Sequence, residues 1–241
     1  METREIAYDE IAYEEGGKRL TGYLADGSGG GKAPGILVIH QGGGLAEHTR
    51  ERARMLAALG YVAFALDLYG ETATSREHAM ALYTAMSQDV PLLRKRVIAG
   101  LDVLKSQASA DTARLAAIGY CFGGWTVLEM ARLGLGLGCV IAFHPGLQGL
   151  PESDDRPVGC KVMVCAGDKD PLITPAARDR FIALMNAAGA DWQLLVYGGA
   201  GHCFTDKTVD AMAIPNFHYD AATDARSWSA MRQLFDETFG T

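Results

Sequence analysis

Five short apolar runs with almost no alternation, residues 35–39, 61–66, 115–118, 139–143 and 161–166, set the strongest limit on what this chain can become. A strand buried on both faces of a parallel sheet needs such a run, whereas a half-exposed strand would alternate with polar residues. Residues 46–59, 75–86, 90–105, 125–133 and 175–188 carry helical patterns between and beyond them, and residues 192–197 read as one further strand. Pro91 falls in a first helical turn, where its missing N–H is no loss. Residues 4–13 and 18–25 predict a hairpin around Glu14-Glu15-Gly16-Gly17. Ala225, Trp228, Met231, Phe235 and Phe239 recur at helical spacing and predict a terminal helix docked on the sheet. Strands alternating with helices through short loops imply an α/β fold, a mainly parallel, doubly wound sheet flanked by helices. The length of 241 residues fits a single domain, 1–241, with a large core.

In open α/β sheets ligands gather at the carboxyl ends of the strands. The run 115–118 leads into Gly119-Tyr120-Cys121-Phe122-Gly123-Gly124. This Gly-x-Cys-x-Gly pattern is the thiol version of the nucleophile elbow, a sharp strand-to-helix turn that projects its central side chain above the sheet. Amides at the start of the following helix favour the thiolate, the reactive form of Cys121. A thiol nucleophile needs a base, and the base needs an orienting group. The loop after residues 161–166 supplies Asp168 and Asp170, and the loop after residues 192–197 supplies His202 among small residues. An acid and then a histidine downstream of the nucleophile, each after a strand, follow the order of α/β-hydrolases. Asp170 is favoured as the partner of His202 because it lies farther along its loop, and Asp168 is the alternative, otherwise a turn cap. The amides of Phe122 and of Gly42, in the turn Gln41-Gly42-Gly43-Gly44, are the expected oxyanion donors. Whether thiol and imidazole rest as an ion pair or as neutral groups stays open at this level.

The formal net charge of −7 argues against a nucleic-acid partner, which calls for a basic patch. No apolar stretch approaches the length that spans a bilayer. The cysteines at 121, 139, 160, 165 and 203 form no C-x-x-C pair and no zinc spacing, and their odd number points to a reducing, cytoplasmic setting. Gly31-Lys32 fails the P-loop pattern because Asp26 and Ala33 stand where it requires glycine and Ser or Thr. The glycines at 42–44 and at 134 and 136 likewise fail the dinucleotide pattern, so no nucleotide cofactor is expected. His40 is a candidate for the pocket or for a hydrogen bond in the core, and His144 is a candidate for the cleft wall, as are Tyr69 and Phe122. A metal site built from His40, His144 and His202 has no motif behind it. Cys203 reads as a packing residue.

The sequence resembles the dienelactone hydrolase (carboxymethylenebutenolidase) family through residues 119–124, Gly167-Asp168-Lys169-Asp170, Gly201-His202-Cys203-Phe204 and Leu66-Asp67-Leu68-Tyr69-Gly70. The resemblance implies a cytoplasmic, cofactor-free hydrolase of a small ester or lactone, with Cys121, Asp170 and His202 as its triad; charge and apolar length already speak against a nucleic-acid or membrane partner. Monomer and homodimer are both compatible with it. Two positions depart from the family. Gln41 stands where the family's thiol-activating glutamate is expected, with Glu47 or Glu71 as substitutes. Asp206 stands near the place of a carboxylate-binding arginine, and Arg76 matches a second such arginine or is a surface residue. The alternative is a catalytically weak ligand-binding protein on the same fold.

Overall fold

A computed structural model of the chain describes residues 6–151, 153–154 and 156–240. Among them, eight strands follow in hydrogen-bonded order β1-β2-β4-β3-β5-β6-β7-β8. The mainly parallel sheet with flanking helices is the architecture that the apolar runs predict. The chain divides into two compact units, one up to Ala117 and the other from Ile118 onward.

In the first unit, β1 (Ala7–Glu15) and β2 (Lys18–Asp26) pair antiparallel through the expected hairpin, with Glu15 opposite Lys18. Residues 4 and 5 of the expected strand lie outside the described residues. β2 runs antiparallel to β4 (Val62–Leu66), which runs parallel to β3 (Ala33–Ile39). Every residue of β3 and β4 is buried, the condition under which a strand needs no polar alternation. α1 (Glu47–Ala58) and α3 (Val90–Ser106) pack on these strands. α3 presents Leu93, Val97, Leu101 and Leu104 on one buried stripe. Its N-terminus is capped by Asp89 Oδ1, which accepts from the Leu92 amide at 3.0 Å. α2 (Arg76–Gln88) is capped by Ser75 in the same way and buries only Met86.

β5 (Ala110–Tyr120) begins five residues before the apolar run that revealed it. Its first part, Asp111 to Arg114, is partly exposed and polar, so hydrophobicity alone marks only the buried end. In the second unit, α4 (Phe122–Ala131) follows β5 with Cys121 alone between them, and all ten of its residues are buried. It starts earlier than expected because Gly123 and Gly124, poor helix formers, disguise its first turn. β6 (Cys139–Phe143) pairs parallel with β7 (Lys161–Gly167), and β7 pairs parallel with β8 (Trp192–Tyr197). α5 (Pro175–Ala187) carries Pro175 in its first turn and Thr174 as its cap.

The terminal helix α6 (Ala221–Phe239) packs on β6 and β7, but its buried face is rotated from the expected one. Asp224, Ser227, Met231, Leu234 and Phe235 face inward while Ala225 is exposed. Apolar periodicity misplaced that edge because two buried positions, Asp224 and Ser227, are polar. Among the described residues no helix is long and apolar enough to cross a membrane.

Packing is tight at the end of β5. A Cβ on Gly119 would lie 2.0 Å from the Gly123 carbonyl oxygen, a backbone atom that cannot move without shifting α4. Gly119→Ala is therefore expected to destabilise the chain by about 1–3 kcal/mol or more, read as a lower denaturant midpoint. An unchanged midpoint would show that α4 is not seated as described.

Candidate active site

Cys121 occupies a backbone conformation that L-residues avoid, with φ 53° and ψ −112°. Such a conformation costs on the order of 1–3 kcal/mol and needs surrounding bonds to hold it. The Cys121 amide supplies them, donating to the Phe143 carbonyl at 3.0 Å and to His144 Nδ1 at 3.2 Å. The Cys121 carbonyl accepts from the Trp125 amide at 3.1 Å, closing the first turn of α4. The nucleophile candidate is thereby fixed at a helix N-terminus, where unpaired amides stabilise negative charge.

The loops after β7 and β8 bring two more side chains to the same place. Asp170 Oδ2 accepts from His202 Nδ1 at 2.7 Å, and both side chains are fully buried. Asp170 Oδ1 accepts from the Leu172 amide at 2.8 Å, which fixes the carboxylate plane. On the far side of the ring, His202 Nε2 lies 3.1 Å from Cys121 Sγ. Since Asp170 can only accept, the Nδ1 proton stays on the ring, and Nε2 is the atom that exchanges a proton with sulfur. The backbone of His202 is held too, its amide donating to the Asn216 carbonyl at 2.7 Å. Gly201 permits this approach, since a Cβ there would meet the Asn216 oxygen at 2.2 Å. The imidazole is flanked by Phe217, with ring centroids 4.7 Å apart, and by His144 at 5.3 Å.

A hydrogen bond from Cys203, the attraction of His202 and the Phe122 amide together hold the Cys121 thiol well below the usual thiol range, against the opposing effect of burial. Burial alone would lower His202, but the Cys121 charge and the bond to Asp170 raise it to about 10. At an effective dielectric of about 20, unit charges ~3 Å apart attract by roughly 5 kcal/mol. Both directions favour a thiolate–imidazolium pair over two neutral groups. Elsewhere burial pushes the thiols the other way, Cys139 and Cys165 up to about 12 and Cys160 up to about 11.

A family model for dienelactone hydrolases matches residues 20–239. The chain belongs to the dienelactone hydrolase family. It is 41% identical to the solved structure of m3DLH, covering 97% of this chain and 98% of that one, with a TM-score of 0.91. The crystal structure of a dienelactone hydrolase-like promiscuous phosphotriesterase from metagenomic libraries is 35% identical, with the same coverage and a TM-score of 0.91. A "Putative carboxymethylenebutenolidase" of Yersinia pestis is 28% identical over 98% of this chain and 91% of its own length.

The remaining candidates of this family member fall into its two units. In the second, Phe122 opens α4, and its amide bonds the Cys121 sulfur. His144 is as fully buried as His202: its Nδ1 accepts from the Cys121 amide, and its Nε2 lies 2.8 Å from Thr205 Oγ1. Asp168 is exposed and pairs with Lys169 at 3.1 Å, which leaves Asp170 as the partner of the histidine. Asp206 is buried, with Oδ1 accepting from the amide and hydroxyl of Thr208 at 2.8 and 2.7 Å. In the first unit, His40 is a core residue, its Nδ1 2.6 Å from the Gln41 carbonyl and its Nε2 accepting from the Leu68 amide at 3.2 Å. Its ring packs edge-on against Tyr69. The Gln41 amide lies 3.3 Å from His48 Nδ1, Gly42 sits in the following turn, and Arg76 is exposed at the start of α2. Glu47 pairs with Arg54, and Glu71 with Lys18 and His78.

Sequence reasoning missed the tie between His144 and Cys121 and the nearness of Cys203 to Cys121. Atoms of Cys121, His202 and Cys203 all lie within 4.8 Å of one another, the one such group among the described residues that could hold a metal ion. Adjacency to the base was the available signal for Cys203; nothing local marked His144.

The ion pair has a measurable signature. Alkylation of Cys121 by iodoacetamide is expected to stay fast to a pH well below the ordinary thiol range, because the thiol is lowered by its neighbours and the histidine is raised. In His202→Ala the profile should move up towards the ordinary thiol range. Identical profiles for the two proteins would refute the pair.

Proposed function

We propose that this lactone or ester hydrolase works through an acyl-cysteine, with Cys121 as nucleophile, His202 as proton carrier and Asp170 as its orienting partner. The observation that supports the reading is the continuous line Asp170–His202–Cys121, bonded at 2.7 and 3.1 Å. The thiolate attacks the carbonyl carbon, and the Phe122 amide at the head of α4 meets the oxyanion that forms. His202 Nε2 gives its proton to the departing alkoxide, leaving Cys121 acylated and the imidazole neutral. Water then loses a proton to Nε2 as its oxygen attacks the acyl carbon. The acid leaves, sulfur departs as thiolate, and the imidazolium is restored. Asp170 keeps Nδ1 protonated throughout and stabilises the charged ring.

His144 is read as a positioning residue that holds the Cys121 amide, since its two ring nitrogens are engaged by that amide and by Thr205. Asp206, four residues beyond His202, places a carboxylate where a family member that binds anionic lactones is expected to carry a cation. Neutral esters and lactones are therefore the preferred class. Gln41, Gly42, Tyr69 and Arg76 enter this reading from the sequence alone.

The test is a panel of neutral and carboxylate-bearing esters and lactones with one phosphotriester, the last because a similar protein is a promiscuous phosphotriesterase. The native chain should turn over the neutral members with higher kcat/KM. Cys121→Ala should fall to the uncatalysed rate with an unchanged melting temperature, and His202→Ala should lose roughly 10²–10⁴-fold. Asp170→Asn should lose less than His202→Ala. Undiminished turnover in Cys121→Ala would overturn the mechanism, and preference for the anionic members would overturn the assignment of substrate class.

A further inference from the structure

Ester hydrolysis by this triad needs one thiol, yet the site contains two. Cys203 follows the base directly and adopts a left-handed backbone with φ 56°, an uncommon conformation for a non-glycine residue. Its Sγ, the Sγ of Cys121 and a ring nitrogen of His202 all lie within 4.8 Å of one another, and the two thiols are hydrogen-bonded. A disulfide requires the sulfurs to close from at most 4.8 Å to about 2.05 Å.

We infer that Cys203 is a resolving thiol, and that oxidation of Cys121 by hydrogen peroxide ends in a Cys121–Cys203 disulfide that reversibly closes the site. The inference rests on the reading of Cys121 as a thiolate paired with His202. The thiolate is the form that peroxide oxidises, and Cys121 is half-buried whereas Cys203 is buried. In the first step sulfur attacks one peroxide oxygen, the O–O bond breaks, and His202 Nε2 protonates the departing hydroxide to water. Cys121 is then a sulfenic acid and the imidazole is neutral. In the second step Cys203 loses its proton to that imidazole and its sulfur attacks Cys121 sulfur. Hydroxide leaves and recovers the proton as water. The sum is two thiols and one peroxide giving one disulfide and two waters.

The other cysteines provide the contrast. Cys139 and Cys160 also interact with each other, but burial keeps both thiols protonated at neutral pH, and Cys165 lies 3.9 Å from the Tyr197 hydroxyl. Chemistry should therefore be confined to the pair at the triad. A second thiol there diverts the nucleophile from the irreversible sulfinic acid to a state that thiols can reduce.

The experiment treats the purified full chain with hydrogen peroxide and maps peptides by mass spectrometry under non-reducing conditions. Ester turnover is measured before and after dithiothreitol. The native chain should give a peptide pair joined through Cys121 and Cys203, and dithiothreitol should restore roughly four fifths or more of the lost activity. In Cys203→Ser, checked for folding by its melting temperature, Cys121 should accumulate as sulfinic acid, with recovery below roughly one tenth. Peroxide inactivation of the native chain without the joined peptides would overturn the inference, as would equal recovery in Cys203→Ser. Peptide mapping needs no turnover. A chain that cross-links but hydrolyses no ester refutes the proposed function alone, and one that hydrolyses esters without cross-linking refutes only the resolving thiol.

Discussion

The passage from β5 to α4 through a single residue is the constraint on which the site depends. Cys121 must turn the chain with a positive φ, and the cost is met by the Phe143 carbonyl and the His144 ring, which share its amide. His144 itself has a positive φ of 39°, and so do Cys203 and Asn216, the latter giving its carbonyl to the His202 amide. Four of the five non-glycine residues with positive φ among those described thus adjoin the Asp170–His202–Cys121 line. Strain persists only where neighbours over-determine the backbone, and here Cys121 is tied to His144 and Asn216 to His202.

That rigidity is what makes the electrostatics effective. A buried ion pair is favourable only when both charges are held in good geometry and their remaining hydrogen-bonding groups are satisfied. His202 meets the condition through Asp170 on one nitrogen and Cys121 on the other. Cys121 meets it through His202, the Phe122 amide and Cys203. The departure at Gln41 from the family's glutamate is therefore compatible with an ionised thiol, because the charge on sulfur is stabilised by groups that follow it in the chain.

Much of this was legible in the sequence, and the reasons differ from element to element. β6 coincides with its apolar run because the whole strand is buried, whereas β5 hid its polar first half and α6 hid the buried Asp224 and Ser227. Asp170 and His202 could be singled out because each follows a strand at a short, recognisable spacing. The structure separates Asp170 from Asp168 by burial, a distinction that spacing only suggested. The role of His144 was out of reach because it depends on how closely residue 144 approaches residues 121 and 205 in space. His40 stood between pocket and core in the sequence, and its two backbone bonds place it in the core.

α4 carries a consequence for how such a protein can diversify. All ten of its residues are buried, down to Glu129, which is paired with Arg132 at 3.2 Å. A helix without a solvent-facing side tolerates little drift in sequence, since every substitution there changes packing. Cys121 is thus mounted on the least negotiable part of its unit, while Asp168 and Lys169 beside Asp170 remain exposed and open to change. New substrate preferences can then arise by replacing side chains around a chemical centre that mutation has little freedom to move.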